Sequence, residues 1–247
     1  MISVIHLFLF TTTVIASVTG SISFDTAIIP KEIDNIVLNT TNVITINGEI
    51  TDDLASQFVY ELNQSPSKEN MYVYLDTNGG SVSAGNRIVD EIQKYQLDCV
   101  AQKAISMGFV ILQSCKTRYI TRYAILMQHQ MSYGIMNEKE KVENYVEFIS
   151  QIAVQLERMQ SDKIGITSKK LKENTYNDWW LFGENGVRDK CADQIANVMC
   201  SLDLTNTNYT VESAGYKYTY SKCPLVTNYI DKEKISKKKS LDDYIYM

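Results

Sequence analysis

One serine, one histidine and one aspartate in this chain have the types and the order that acyl transfer requires. Ser106 sits in Ala104-Ile105-Ser106-Met107-Gly108, His129 in Met127-Gln128-His129-Gln130, and Asp178 immediately before Trp179-Trp180. A serine hydroxyl is a weak nucleophile until a base takes its proton, and the base needs a third group to hold its tautomer and stabilise the imidazolium that forms. Beyond the first twenty residues His129 is the only histidine, so a histidine-dependent mechanism has a single candidate base. Each residue alone also has a plainer reading: Ser106 as a helix cap, His129 as a hydrogen-bonded core side chain, Asp178 as a cap before the tryptophans. Glu173, Asp189 and Asp193 are further acids near Asp178 in sequence.

Acyl transfer also needs main-chain N–H groups to hold the oxyanion of a tetrahedral intermediate. Gly79 and Gly80, in Asn78-Gly79-Gly80, allow close backbone approach. The N–H of Met107 would open the first turn of a helix, where the dipole favours negative charge. Read alone, Asn78-Gly79-Gly80 is equally a tight turn.

These groups are too far apart in sequence to meet on one element, so the elements must converge. Val43-Ile44-Thr45-Ile46 is β-rich and ends at Asn47-Gly48, and Thr51-Asp52-Asp53 offers caps to a helix over Leu54 to Leu62. Met71 to Leu75 repeats the strand, Asn78-Gly79-Gly80 breaks it, and Ala84 to Tyr95 returns to helical spacing. A third cycle runs from Leu97–Val100 through Ser106 to a helix over Met107 to about Cys115. Tyr119-Ile120 and Ala124–Met127 read as further strands, the second delivering His129. Alternating strand and helix predicts an α/β fold around a largely parallel sheet. Residues 138–163 form the clearest helix, with Val142, Tyr145, Ile149, Ala153 and Leu156 at three- and four-residue spacing. At ~1.5 Å per residue it reaches on the order of 40 Å, and the sequence allows it either to project toward a partner or to fold back.

Composition narrows the class of function. With 45% apolar and 21% charged residues over 247 positions, the chain can fill one sizeable core. A net charge of -5 argues against a nucleic-acid binder, which needs a basic face, and favours a protein or small molecule as partner. Residues 1–20 are apolar, lack acidic groups and end in small residues, as a secretory signal peptide does, with an uncleaved membrane anchor as the alternative. Sequons at Asn39, Asn63 and Asn208 fit a secreted glycoprotein. Five cysteines with no zinc spacing predict no metal site. Cys99 and Cys115 read as buried apolar side chains, and Cys191, Cys200 and Cys223 as the source of one late bridge. We therefore divide the chain into a signal segment (1–20), a lead-in without periodicity (21–42), a catalytic domain (43–201) and a tail (202–247) carrying Lys237-Lys238-Lys239.

Four motifs in register resemble the proteolytic subunit family of Clp proteases (ClpP), within the crotonase-like superfamily: Leu75 to Gly85 around the paired glycines, Ala104 to Gly108, Met127 to Gln130, and Asn177-Asp178. The similarity covers about residues 43–200. It implies repeated β-β-α units with a protruding handle helix, and a serine endopeptidase needing no cofactor. Ser106, His129 and Asp178 would form its triad, Gly80 and Met107 its oxyanion hole, and Gly79, Ser81 and Gln130 its substrate contacts. It implies a homo-oligomer of stacked heptameric rings, with helix 138–163 interleaving between rings, fed with unfolded protein by an ATPase. The chain has no phosphate-binding loop of its own, so an exported form is expected to cut peptides or unfolded proteins without ATP. Thr77-Asn78, Gln102 and Met131 depart from the family's Ser-Pro, glycine and proline at those places. Three rival readings stay open: an inactive or weak scaffold of the same fold, a Ser-Lys protease of the signal-peptide-peptidase type using Lys103 or another lysine, and a crotonase-type acyl-coenzyme A enzyme with glycine-rich backbone donors around a thioester oxyanion. The last two are disfavoured by the presence of Ser106, His129 and Asp178 together.

Overall fold

Strand β3 (Tyr72–Gly80) carries side chains to both faces of a sheet, as alternation along an extended chain demands. Val73 and Leu75 enter the main core, while Tyr74 enters a smaller cluster on the opposite face. Strands buried on both faces read as continuous apolar runs, the mark of a parallel sheet covered on each side. The computed structural model describes residues 33–235. The signal-like segment 1–20, the lead-in through residue 32 and Lys237-Lys238-Lys239 lie outside the described residues.

Strands β1 (Ile33–Leu38), β2 (Val43–Ile50), β4 (Asp98–Ile105), β5 (Arg118–Gln128) and β7 (Gln194–Cys200) join β3 in the order β1-β7-β5-β4-β3-β2, all parallel. A short strand, β6 (Trp179–Phe182), pairs antiparallel with β5. Helices α1 (Asp52–Gln64), α2 (Val82–Tyr95) and α3 (Met107–Ser114) cover the main face. The expected cap at Thr51 forms, its hydroxyl accepting from the Leu54 N–H; the Ser81 hydroxyl, not anticipated as a cap, accepts from the Ala84 N–H. The α/β class and the repeated units of the sequence reading are thus those of the molecule.

Several boundaries differ from the sequence reading for identifiable reasons. Strand β2 continues through Asn47-Gly48 because Gly48, at φ 84°, takes up a bulge opposite β3. Strand β3 likewise runs on through Asn78-Gly79-Gly80. The two short strands expected near residues 119–127 are one continuous β5. Strand β1 emerges from the lead-in because β7 supplies a parallel partner from the far end of the chain, which local periodicity cannot reveal. Helix α4 (Lys139–Ile164) projects. Gln160, Ser161 and Ile164 are buried at its carboxyl end, whereas Tyr145, Phe148 and Val154 remain exposed. Short helices α5 (Ser168–Thr175) and α6 (Glu184–Arg188) connect onward to β6 and β7.

Beyond residue 200 the chain makes α7 (Leu202–Asn206) and a three-stranded antiparallel sheet of β8 (Asn208–Ser213), β9 (Tyr216–Ser221) and β10 (Asp231–Lys234). The Cys200–Cys223 disulfide ties this sheet to β7. The assignment of Cys99 and Cys115 as unbridged is corrected. They form a disulfide with Cα atoms 5.8 Å apart, because the chain leaving α3 turns back beside β4, with the Lys116 N–H donating to the Leu97 carbonyl. Cys191 is the free thiol among the described residues, and burial pushes its pKa up.

The buried Arg118 guanidinium clamps the start of β5 to that of β7. It donates to Asp193 at 2.5 and 3.1 Å and to Gln113 at 2.6 Å. Burial pushes the Asp193 carboxyl up, but the hydrogen bonds and charge of Arg118 outweigh that and hold it below its ordinary value. We predict that Arg118→Met lowers the unfolding free energy by roughly 2–3 kcal/mol in urea titration, toward the low end for a broken buried pair because Asp193 is partly exposed. A carboxyl held low stabilises the fold at neutral pH, and that contribution disappears as pH falls through its folded-state value. Asp193→Asn should therefore flatten the acid limb of the stability curve.

Candidate active site

Ser106 lies in the turn between β4 and α3 with φ 55° and ψ -118°, a left-handed conformation that costs a non-glycine residue about 1–3 kcal/mol. Gly183 takes nearly the same angles, φ 52° and ψ -123°, before α6, where glycine tolerates them freely. The Ser106 N–H donates to the Met127 carbonyl at 2.9 Å, tying this turn to the end of β5. Because Ile105 pairs with Met127 in the parallel register, the residues that follow each strand emerge side by side at the carboxyl edge of the sheet, where α/β folds place their sites. His129 Nε2 stands 2.7 Å from Ser106 Oγ, within hydrogen-bond reach. Both residues are half-buried, shielded from bulk water yet open to a substrate.

The paired glycines meet this turn closely. Gly79, at φ 94°, packs so tightly that a Cβ would lie 2.7 Å from the Ile105 carbonyl oxygen and 2.8 Å from the Ser106 Cβ. A Cβ on Gly80 would lie 2.4 Å from the Ile50 carbonyl oxygen. Thr77, one of the family departures, is fully buried and serves this turn. Its hydroxyl donates to the Gly48 carbonyl at 2.5 Å and accepts from the Gly79 N–H at 3.0 Å. Gln102, another departure, occupies a register shift of β4 against β5 and accepts a hydrogen bond from the Thr121 hydroxyl at 2.8 Å.

A cleft of about 840 Å³ opens over Ser106 and His129, within the size range of ligand sites. Gly80, Met107, Gln130 and Met131 line it near the serine, and α4 forms its far wall through Ile149, Ala153 and Leu156. Helix α5 contributes a charged edge, where Lys172 Nζ reaches Glu157 of α4 at 3.1 Å. Of the residues assigned to substrate contact, Gln130 lines the cleft. Gly79 lies beneath the serine turn, and the Ser81 hydroxyl caps α2 and hydrogen-bonds Ser83 at 3.0 Å.

Asp178 immediately precedes β6, at φ 60°. Gln128 pairs with Trp179 across the antiparallel β5–β6 ladder, so one further step in register sets Asp178 abreast of His129. Its side chain faces solvent, and among the described residues no hydrogen bond joins it to the imidazole. Lys103, the rival base, is engaged by Asp76 at 3.2 Å, while the serine hydroxyl is taken by His129.

Two site residues escaped the sequence reading. Gln128 and Gln160 are both buried and hydrogen-bond each other beneath His129. Gln160 follows Leu156 by one helical turn on α4, a spacing that places it on the inner face, but glutamine on a charged helix ordinarily reads as solvated.

The close approach at Gly79 yields a prediction. Gly79→Ala should slow fluorophosphonate labelling of Ser106 by at least about tenfold while leaving a folded protein, since the added methyl must displace the serine turn and a misplacement of ~1 Å costs a large rate factor.

The ATP-dependent Clp protease proteolytic subunit of Streptococcus suis (strain 98HAH33) is 29% identical over 164 residues, spanning 62% of this chain and 83% of that protein. The family described as Clp protease matches residues 31–200, from the first described strand through Ser106, His129 and Asp178 to the end of β7. The mostly parallel sheet with its covering helices is consistent with that family's fold, and the chain belongs to the Clp protease family.

Proposed function

We propose that the chain is a serine endopeptidase in which Ser106 is the nucleophile, His129 the general base and Asp178 the group that steadies the imidazole. The observation that carries this reading is the 2.7 Å contact between His129 Nε2 and Ser106 Oγ at the mouth of the cleft. Ser106 Oγ attacks the carbonyl carbon of a peptide as its proton passes to Nε2. Main-chain N–H groups of Gly80 and Met107, which line the cleft beside the serine, receive the oxyanion, where removal of one such donor typically costs about 10²–10³ in rate. The imidazolium then gives its proton to the leaving amine, and water repeats the sequence on the acyl-enzyme. The backbone of Asp178, abreast of His129, supports its place as the third member after a change of rotamer. The Lys103–Asp76 pair counts against the Ser-Lys alternative.

The family's oligomeric rings extend to a proposal for this chain. Tyr123 and Ile125 of β5 and Trp180 and Phe182 of β6 are all more than a third exposed, and Tyr123 stacks on Phe182. Such a contiguous apolar surface suits burial between copies, as does the exposed part of α4. Two disulfides and the signal-like segment support export to an oxidising compartment, where hydrolysis proceeds on peptides or unfolded chains without an ATPase.

Two measurements test these points. Purified protein should hydrolyse fluorogenic peptides, with Ser106→Ala and His129→Ala each lowering kcat by at least about 10³-fold and Asp178→Asn by up to about 10⁴-fold. Equal rates for wild type and Ser106→Ala reject the enzyme and leave a scaffold of the same fold. Full activity in His129→Ala returns the lysine mechanism. Light scattering should find a ring-sized assembly; a monomer at micromolar concentration that still cleaves peptide refutes the oligomer.

A further inference from the structure

Strand β5 ends at Gln128, so the N–H of His129 falls just past the ladder and needs an acceptor from elsewhere. The Gln128 side chain supplies it, its Oε1 accepting from the His129 N–H at 3.1 Å. The other end of the same amide, Nε2, donates to Gln160 Oε1 on α4. Gln160 Nε2 in turn donates to the Leu156 carbonyl of its own helix at 2.9 Å. Three hydrogen bonds in series thus run from the α4 backbone to the backbone of the base. Both amides are almost fully buried, at 6% and 3% exposure, and buried amides are costly unless paired. Downstream of His129 the chain is irregular until α4 begins at Lys139. This relay is therefore what fastens the residue at the end of β5 to the wall of the cleft.

We propose that Gln128 and Gln160 are positioning residues that set the imidazole of His129 against Ser106. The inference rests on the serine-hydrolase reading and adds to it a dependence on two neutral side chains that do not touch the reacting atoms. Two medium-sized apolar residues would fill the same space, and replacing both partners of a buried hydrogen bond by apolar groups is often nearly neutral for stability. The relay can therefore be removed without dismantling the core.

The test compares wild type, Gln128→Met, Gln160→Met and the double variant. We expect each single variant to lose roughly 10–100-fold in kcat, the order a ~1 Å displacement costs, with KM changed less than about twofold. The double variant should be no slower than the worse single one, because residues acting in series do not add. Rates are taken per Ser106 titrated by fluorophosphonate, so a smaller folded fraction does not imitate the effect. Unchanged kcat per titrated site, or additive losses, overturns the proposal while leaving the hydrolase reading intact. Failure of the wild type to label or to cleave rejects that reading instead. Crystal structures of the wild type and the double variant then decide the positioning role. The wild type should show the His129–Ser106 hydrogen bond and the variant should lose it; an imidazole that stays in place overturns the proposal.

Discussion

The contact between the Ser106 hydroxyl and the His129 imidazole depends on β4 and β5 running parallel and in register. A parallel pair sends both chains out of the sheet at the same edge, so the residue after Ile105 and the residues after Met127 must emerge together. The Ser106 N–H to Met127 carbonyl bond extends the ladder into the serine turn and fixes their separation. Neither side chain would meet the other if β5 were shifted, and a strand slipped by one residue turns every side chain to the opposite face. The buried Arg118–Asp193 clamp at the far end of β5 and the shift at Gln102 act on that register.

Ser106 is strained where the chemistry would occur. Ser106 holds a backbone conformation that Gly183 adopts at little cost before α6, so the serine is kept there by what surrounds it. Gly79 leaves room for the turn where a Cβ would clash with it, Thr77 holds Gly79, and the Cys99–Cys115 bridge closes a covalent loop that contains Ser106. The family's Ser-Pro is replaced here by Thr77-Asn78, yet the hydroxyl of Thr77 still organises the paired glycines.

Helix α4 has two lives along one length. Its last turns are buried with the core and carry Gln160 to the floor of the cleft, whereas its earlier turns leave aromatic side chains in solvent. Exposed apolar side chains and a residue hydrogen-bonded to the neighbour of His129 thus belong to one helix. The sheet β8–β10 is a separate addition beyond the family region, held by its own disulfide.

Much of this was legible locally. The apolar runs at 43–46 and 71–75, the caps at Thr51, and the stripe along 138–163 follow from side-chain spacing, and the types of Ser106, His129 and Asp178 define the chemistry open to the chain. Pairing was not legible. Strand β1 exists because β7 lies beside it, Cys99 meets Cys115 because a helix ends next to a strand, and Gln160 is buried because α4 seats its carboxyl end against α3 and bonds Gln128 at the end of β5. The exposed side chain of Asp178, level with His129 yet turned away, belongs to the same class of facts. Sequence by itself determined which groups are present and which stretches favour strand or helix, because those preferences act over a few neighbouring residues. Only the tertiary structure decided which of those groups stand within 3 Å of one another, since such contacts depend on long-range register that no local pattern encodes.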